Sequence, residues 1–133
     1  MSQQVIVTTE QISPSASQGQ TRNHTLVCDR PEAKGGTNQG PMGGEAFLMG
    51  LGGCFMSNLL ATIQARGADI SDVRAKITAT LEAAPPRFSA IHLSISAQGE
   101  DHALLEKMVT IAERGCVVAN TIKPAVALSF SVR

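Results

Sequence analysis

Tryptophan and tyrosine are absent from this sequence, and phenylalanine occurs only four times. So few flat rings argue against a base-stacking platform or an aromatic cage for cations. Excess charge of either sign is also lacking: eleven Lys and Arg balance eleven Asp and Glu. That balance argues against a strongly basic nucleic-acid binder, so no nucleic-acid partner is expected. The cysteines, Cys28, Cys54 and Cys116, are an odd and sparse set, not the framework of a disulfide-rich secreted domain. No C-x-x-C occurs, and His24, His92 and His102 stand apart, so no metal site is expected. Walker A, G-x-G-x-x-G and G-x-S-x-G motifs are missing too, and no cofactor is expected. The first ten residues carry neither a basic n-region nor an apolar h-region. No apolar run is read as reaching the roughly 20 residues of a bilayer span. The expectation is a cytoplasmic protein without a membrane partner, its thiols held reduced.

What is present is enough for one domain, expected over residues 1–133, with a core that needs no staples. Apolar residues make up 43% and charged residues 17%, which places the chain among globular rather than disordered sequences.

Val5 and Val7, then His24 to Cys28, read as short strands, with a Ser- and Gln-rich turn from Ser13 to Gln20 between them. Arg30 to Gly44 is rich in Gly and Pro and reads as a long loop. Glu45 to Arg66 contains no Pro and almost no charge, and its apolar residues fall on every face of a helix roughly 33 Å long. Such a helix is either the central core helix of a monomer or packs partly on a second chain. Gly50, Gly52 and Gly53 are poor helix formers and point to close backbone approach just before Cys54. Residues 73–83 and 91–97 alternate apolar and polar, and read as an antiparallel hairpin broken by Pro85-Pro86. Asp101 is placed to cap a second helix with a stripe of Leu104, Leu105, Met108, Ile111 and Ala112, ended by Gly115. A further helical turn or two follows Cys116 as far as Ile122. A last alternating strand runs from Val126 to Val132. Strands and helices are partly segregated, which gives an α+β class.

Cys54 sits within the apolar helix, where it is either an inert core residue or a nucleophile drawn towards thiolate by a cation. Arg22 and Arg30 are the candidate cations. Cys116 begins a new segment, and a helix start there would favour a thiolate. Cys28 shares a strand face with His24 and Leu26 and reads as structural.

The run Gly40-Pro-Met-Gly-Gly-Glu-Ala-Phe-Leu-Met-Gly-Leu-Gly-Gly-Cys54 resembles the G-P-x-P-x-E-L-L-L-A-A-L-G-G-C signature of the OsmC/Ohr family. The run Ala112-Glu-Arg-Gly-Cys-Val-Val-Ala-Asn-Thr121 is similar to its second signature, A-E-x-x-C-P-V-x-x-x-L. Cys28-Asp-Arg-Pro and Gly35-Gly-Thr resemble the OsmC-like branch. The resemblance implies an intertwined α+β homodimer with a long central helix packed against antiparallel sheets. It implies a thiol peroxidase for organic hydroperoxides. Cys54 would be oxidised to a sulfenic acid and Cys116 would resolve it as a disulfide. Arg22 and Glu45 would be the accessory residues, Phe47, Leu51 and Phe55 the apolar substrate pocket, and a dithiol or lipoylated protein the reductant. Three positions depart from the family pattern. Gly44 stands where the helper glutamate of the best peroxidases is found, leaving Glu45 nine residues before Cys54. Arg22 matches the family arginine only loosely. Val117 replaces the usual proline after the second cysteine. The alternatives are an OsmC-like protein that binds an apolar or electrophilic small molecule with little or no catalysis, and a thiol redox sensor.

Overall fold

Polar residues build the first sheet. In the computed structural model, which describes residues 1–99 and 101–133, β1 (Thr8–Gln11), β2 (Ser17–Thr21) and β3 (His24–Cys28) form an antiparallel meander in the order β1-β2-β3. The turn expected over Ser13 to Gln20 is confined to its first half. Ser13 Oγ accepts from the N–H of Ser15 and of Ala16 and closes the bend there. The chain then enters β2 at Ser17, where its Ser, Gln and Gly residues pair on both edges. Val5 and Val7 lie just before β1 and are exposed.

After β3, a short 3-10 turn (Glu32–Lys34) and a run of glycines lead to α1 (Gly43–Arg66). The chain forms two compact units, Met1–Phe47 and Leu48–Arg133. In the second, β4 (Ile70–Ala83) pairs antiparallel with β5 (Pro86–Gly99). The chain continues through α2 (His102–Arg114) and α3 (Val117–Ile122) to β6 (Ala127–Val132). β6 lies parallel to β5, not antiparallel as the resemblance implies for the sheets. The α2–α3 crossover returns the chain to the end from which β5 started, which makes a parallel pairing possible.

Alternation in β4 holds only as far as Thr80. Thr80 pairs with Ala90 and Leu81 with Phe88, so Ser89 is an extra residue in β5. This bulge turns Leu81 outwards, 68% exposed, and brings Glu82 partly inside, where its Oε2 accepts from Ser89 Oγ at 2.7 Å.

The core of the second unit lies on the face of β5 that carries Ile91, Leu93 and Ile95. α1 contributes Leu51, Phe55, Leu59 and Ile63, one residue per helical turn. Phe55 meets Phe130 of β6 at 4.9 Å between ring centroids. At Gly52 a Cβ would meet Ile77 Cδ1 at 2.6 Å, so α1 and β4 are in close contact here and a larger residue would require the isoleucine tip to move. α1 is not buried all round: Met49 is 59% exposed and Leu60 48%. It is also long and apolar enough by composition to cross a membrane, with 24 residues and an 18-residue stretch of mean hydropathy 1.6, which corrects the reading of no such run. Its Leu51–Ile63 stripe is nonetheless packed into the protein core.

Candidate active site

α1 carries Cys54 on its half-buried flank, and the junction of α2 and α3 carries Cys116. Gly115 ends α2, and Cys116 follows in extended conformation as the N-cap of α3. Its Sγ accepts from the N–H of Ala119 at 3.5 Å, so sulfur does here what a serine hydroxyl does at other helix starts. Cys116 is fully buried. Both cysteines are free thiols.

The sulfur of Cys54 faces this helix start. Burial would push its pKa up, but the N–H of Val118, the Cys116 thiol and the N–H of Val117 together hold it below the ordinary thiol value. Cys116 moves the other way. Burial raises its pKa, the N–H of Ala119 only partly offsets this, and hydrogen bonding and repulsion from the Cys54 sulfur raise it further. The two thiols are therefore unequal: Cys54 gives up its proton more readily than an ordinary thiol and Cys116 less readily.

The other expected site residues have definite places. Glu45 is the third residue of α1, and its Oε1 accepts from the N–H of Met42 at 2.8 Å. That is the reach-back half of a capping box, and it ties the carboxylate to the helix start. Arg22 is exposed in the two-residue turn between β2 and β3, at a positive φ of 53°. Arg30 is exposed just after β3. Arg22, Arg30 and Glu45 belong to the first compact unit, and Cys54 and Cys116 to the second. Leu51 and Phe55 have no exposed surface and serve as core residues, whereas Phe47 is 42% exposed. Cys28 is half-buried on β3, beside Val7 and Leu26 in an apolar hollow of about 330 Å³. His92 bridges Ser129 and Ser131 of β6 at 2.6 and 2.8 Å.

Sequence reading missed two features. One is the pair of N–H groups at Val117 and Val118. Its signal was the Gly-Cys step between two helical patterns, but backbone donors leave no mark in side-chain identity. The other is Asp29, which is 3% exposed and organises the glycine-rich loop. Its carboxylate accepts from the N–H of Arg30, Thr37 and Gln39 and from the Thr37 hydroxyl. The Thr37 hydroxyl does most to hold its pKa far below the carboxylate range. Burial opposes this, and Gln39, Ser15 and Arg30 add to it.

The family model described as "OsmC-like protein" matches residues 36–131. Among solved structures, the OsmC-like protein of Mycoplasma pneumoniae is similar with a TM-score of 0.86 at 16% identity, covering 100% of this chain and 98% of that one. An organic hydroperoxide resistance protein OsmC of Legionella pneumophila gives 0.71 at 21% identity, with 98% and 96% covered. An organic hydroperoxide resistance protein of Elizabethkingia anophelis gives 0.72 at 17% identity, with 99% and 96% covered. At these identities the likeness is one of fold. No functionally curated protein matches the sequence.

Proposed function

This chain belongs to the OsmC-like family, and on that premise we propose that it is a thiol peroxidase that reduces organic hydroperoxides through Cys54 and Cys116. The observation that carries the reading is the Cys54 sulfur facing both the Cys116 thiol and the N–H groups of Val117 and Val118. The names of the Legionella and Elizabethkingia relatives support it.

The Cys54 thiolate attacks the terminal oxygen of the hydroperoxide. The O–O bond breaks, the alkoxide leaves and takes a proton to become the alcohol, and the sulfur is oxidised by two electrons to a sulfenic acid. Cys116 then attacks that sulfur. An S–S bond forms, the S–O bond breaks, and the hydroxyl leaves as water with the proton Cys116 gives up. One thiolate, one thiol, one proton and one hydroperoxide thus become a disulfide, an alcohol and water. An external dithiol, free or carried on a lipoylated protein, returns the pair to thiols by exchange and is itself oxidised to a disulfide. This cycle suits the reducing cytoplasm.

The active unit in this reading is a homodimer. Met49 and Leu60 leave apolar surface of α1 uncovered, and Gly50 and Gly53 have nothing within 4 Å of where a Cβ would stand. A second copy laid against that flank would bury it. Arg22 assists the thiolate or the leaving alkoxide, and Glu45 fixes the first turn of the helix that carries the nucleophile.

The test is stopped-flow reduction of cumene hydroperoxide and of H₂O₂ by the reduced protein, beside Cys54→Ser and Cys116→Ser. Fast consumption of cumene hydroperoxide, lost in Cys54→Ser and leaving a sulfenic acid in Cys116→Ser, is expected. Rates no better than those of free cysteine would sink the reading.

A further inference from the structure

β6 is the last strand in the sheet of the second compact unit, so one of its edges has no neighbouring strand. The pairing with β5 says which backbone groups lie on that edge. Ile95 stands opposite Val132, and the N–H of Arg133 donates to Ile95 O at 2.8 Å. In a parallel ladder the residues that bond the neighbour alternate with those that face away. Ser129 and Ser131 therefore turn their N–H and C=O towards β5, and Leu128, Phe130 and Val132 turn theirs outwards. His102 Nε2 donates to Val132 O at 3.3 Å. The N–H and C=O groups of Leu128 and Phe130 have no hydrogen-bond partner among the described residues.

α2 forms a wall beside this edge. Its Glu106, Thr110 and Glu113, together with β6, line a groove of about 210 Å³. The lining holds two carboxylates and no Lys, Arg or His. Glu106 pairs with His102 at 2.9 Å and Glu113 with Lys123 at 3.0 Å. Both pairs lie at the surface, where such pairs contribute little, and each carboxylate keeps lone pairs for a second cation. Unclaimed backbone groups along a strand edge select an extended chain, because only a strand repeats its own N–H and C=O at the matching interval. The acidic wall selects a chain that carries cations.

We infer that β6 takes up an extended basic peptide segment of a partner protein as a fourth strand of this sheet, its backbone bonded to Leu128 and Phe130 and its lysines or arginines on Glu106 and Glu113. Seven residues of helix separate the two carboxylates by about 10 Å. Side chains on one face of a strand recur at about 7 and 13 Å, which brackets that distance, and long basic side chains make up the difference. The inference is independent of the thiol chemistry proposed above, and it stands or falls without it.

The probe is the acetylated and amidated peptide Thr-Lys-Val-Lys-Val-Lys-Thr, titrated into the full chain and followed by amide hydrogen exchange in NMR. At saturation, exchange at the Leu128 and Phe130 amides should slow about tenfold or more, while the Ser129 and Ser131 amides, already bonded to β5, should not change. The double variant Glu106→Lys with Glu113→Lys should bind about tenfold more weakly. The same peptide with its backbone amides N-methylated keeps its charge but loses its donors, and it should not bind. No binding at about 1 mM peptide would overturn the inference. So would binding that leaves the Leu128 and Phe130 amides unprotected, or that survives N-methylation, since charge alone would then hold the peptide. Protection of those amides that grows with protein concentration in the absence of peptide would give the edge to a second copy of this chain and overturn the peptide reading.

Discussion

The Cys116 thiol lies against the Cys54 sulfur, and hydrogen bonding between them lowers the pKa of Cys54 while raising that of Cys116. The two thiols thereby differ in acidity although both are reduced. Cys116→Ser keeps an O–H donor at this position, whereas Cys116→Ala removes it. The pH profile of iodoacetamide alkylation at Cys54 should therefore shift upwards in Cys116→Ala. It should shift much less in Cys116→Ser. In the native protein, alkylation rises with pH as the thiolate forms and levels off earlier than it does for a free thiol. A profile indifferent to Cys116→Ala would show that the backbone donors suffice.

Those donors can be tested one at a time. Val117 is the first residue of α3 and is 70% exposed. Proline is well tolerated at that helix position, because its missing N–H is not needed for the helix. Here the N–H is used, since it acts on the Cys54 sulfur. Val117→Pro should leave the melting temperature nearly unchanged and slow Cys54 alkylation at neutral pH by about tenfold, the scale of one hydrogen bond to a charged group. Val117→Ala, which keeps the N–H, should behave like the native protein. The family's usual proline at this position would delete the donor, so a departure that looks mild in sequence changes the chemistry of the site.

The two cysteines, their order and the helix start at Cys116 were legible because each left a mark in residue type: an apolar run, a Gly-Cys step, an Asp cap. Asp101 does cap α2, through the N–H of Ala103. What was illegible was carried by backbone geometry or by polar side chains in regular structure. β2 consists of Ser, Gln, Gly and Thr, residues that read as turn until pairing on both edges claims them. The Ser89 bulge exposes Leu81, although strict alternation assigns that leucine to the core. The resemblance made Leu51 and Phe55 part of a substrate pocket, but both are fully buried among the residues of the core.

Arg22 occupies a backbone conformation that an L residue adopts at a cost. Positive φ at the first position of a two-residue hairpin turn favours glycine. Arg22→Gly should therefore raise the stability of the protein by about 1 kcal/mol, visible as a higher Tm. If Arg22 assists the reaction, the same variant should lose at least tenfold in kcat/KM for cumene hydroperoxide. Gain of stability with loss of activity marks strain kept for function. A more stable protein of full activity would remove Arg22 from the mechanism.

Glu45 separates structural from chemical roles in the opposite way. Glu45→Ala should cost about 1 kcal/mol through loss of the bond from the Met42 N–H. Glu45→Gln retains an acceptor for that bond and should recover most of the stability. Peroxidase activity that recovers with it identifies Glu45 as a residue that positions the helix. Activity still lost in a fully stable Glu45→Gln would require the carboxylate charge itself.

Asp29 gives the loop before α1 a dependence on acid. Its folded pKa is depressed, so its contribution to stability is complete above the unfolded carboxylate value of about 3.9 and is lost as pH falls through the folded value. The native protein should therefore lose stability below pH 4 along a slope to which Asp29 contributes. The side-chain amide introduced by Asp29→Asn has a single acceptor oxygen, where the carboxylate serves the N–H groups of Arg30, Thr37 and Gln39 and the Thr37 hydroxyl. Asp29→Asn should be less stable at neutral pH, and its urea midpoint should fall less steeply below pH 4. Hydrogen exchange at the Thr37 and Gln39 amides should rise in the variant, because those donors lose their acceptor while the strands on either side keep theirs. Equal slopes for the two proteins, with unchanged exchange at those amides, would show that the loop is held by its other contacts.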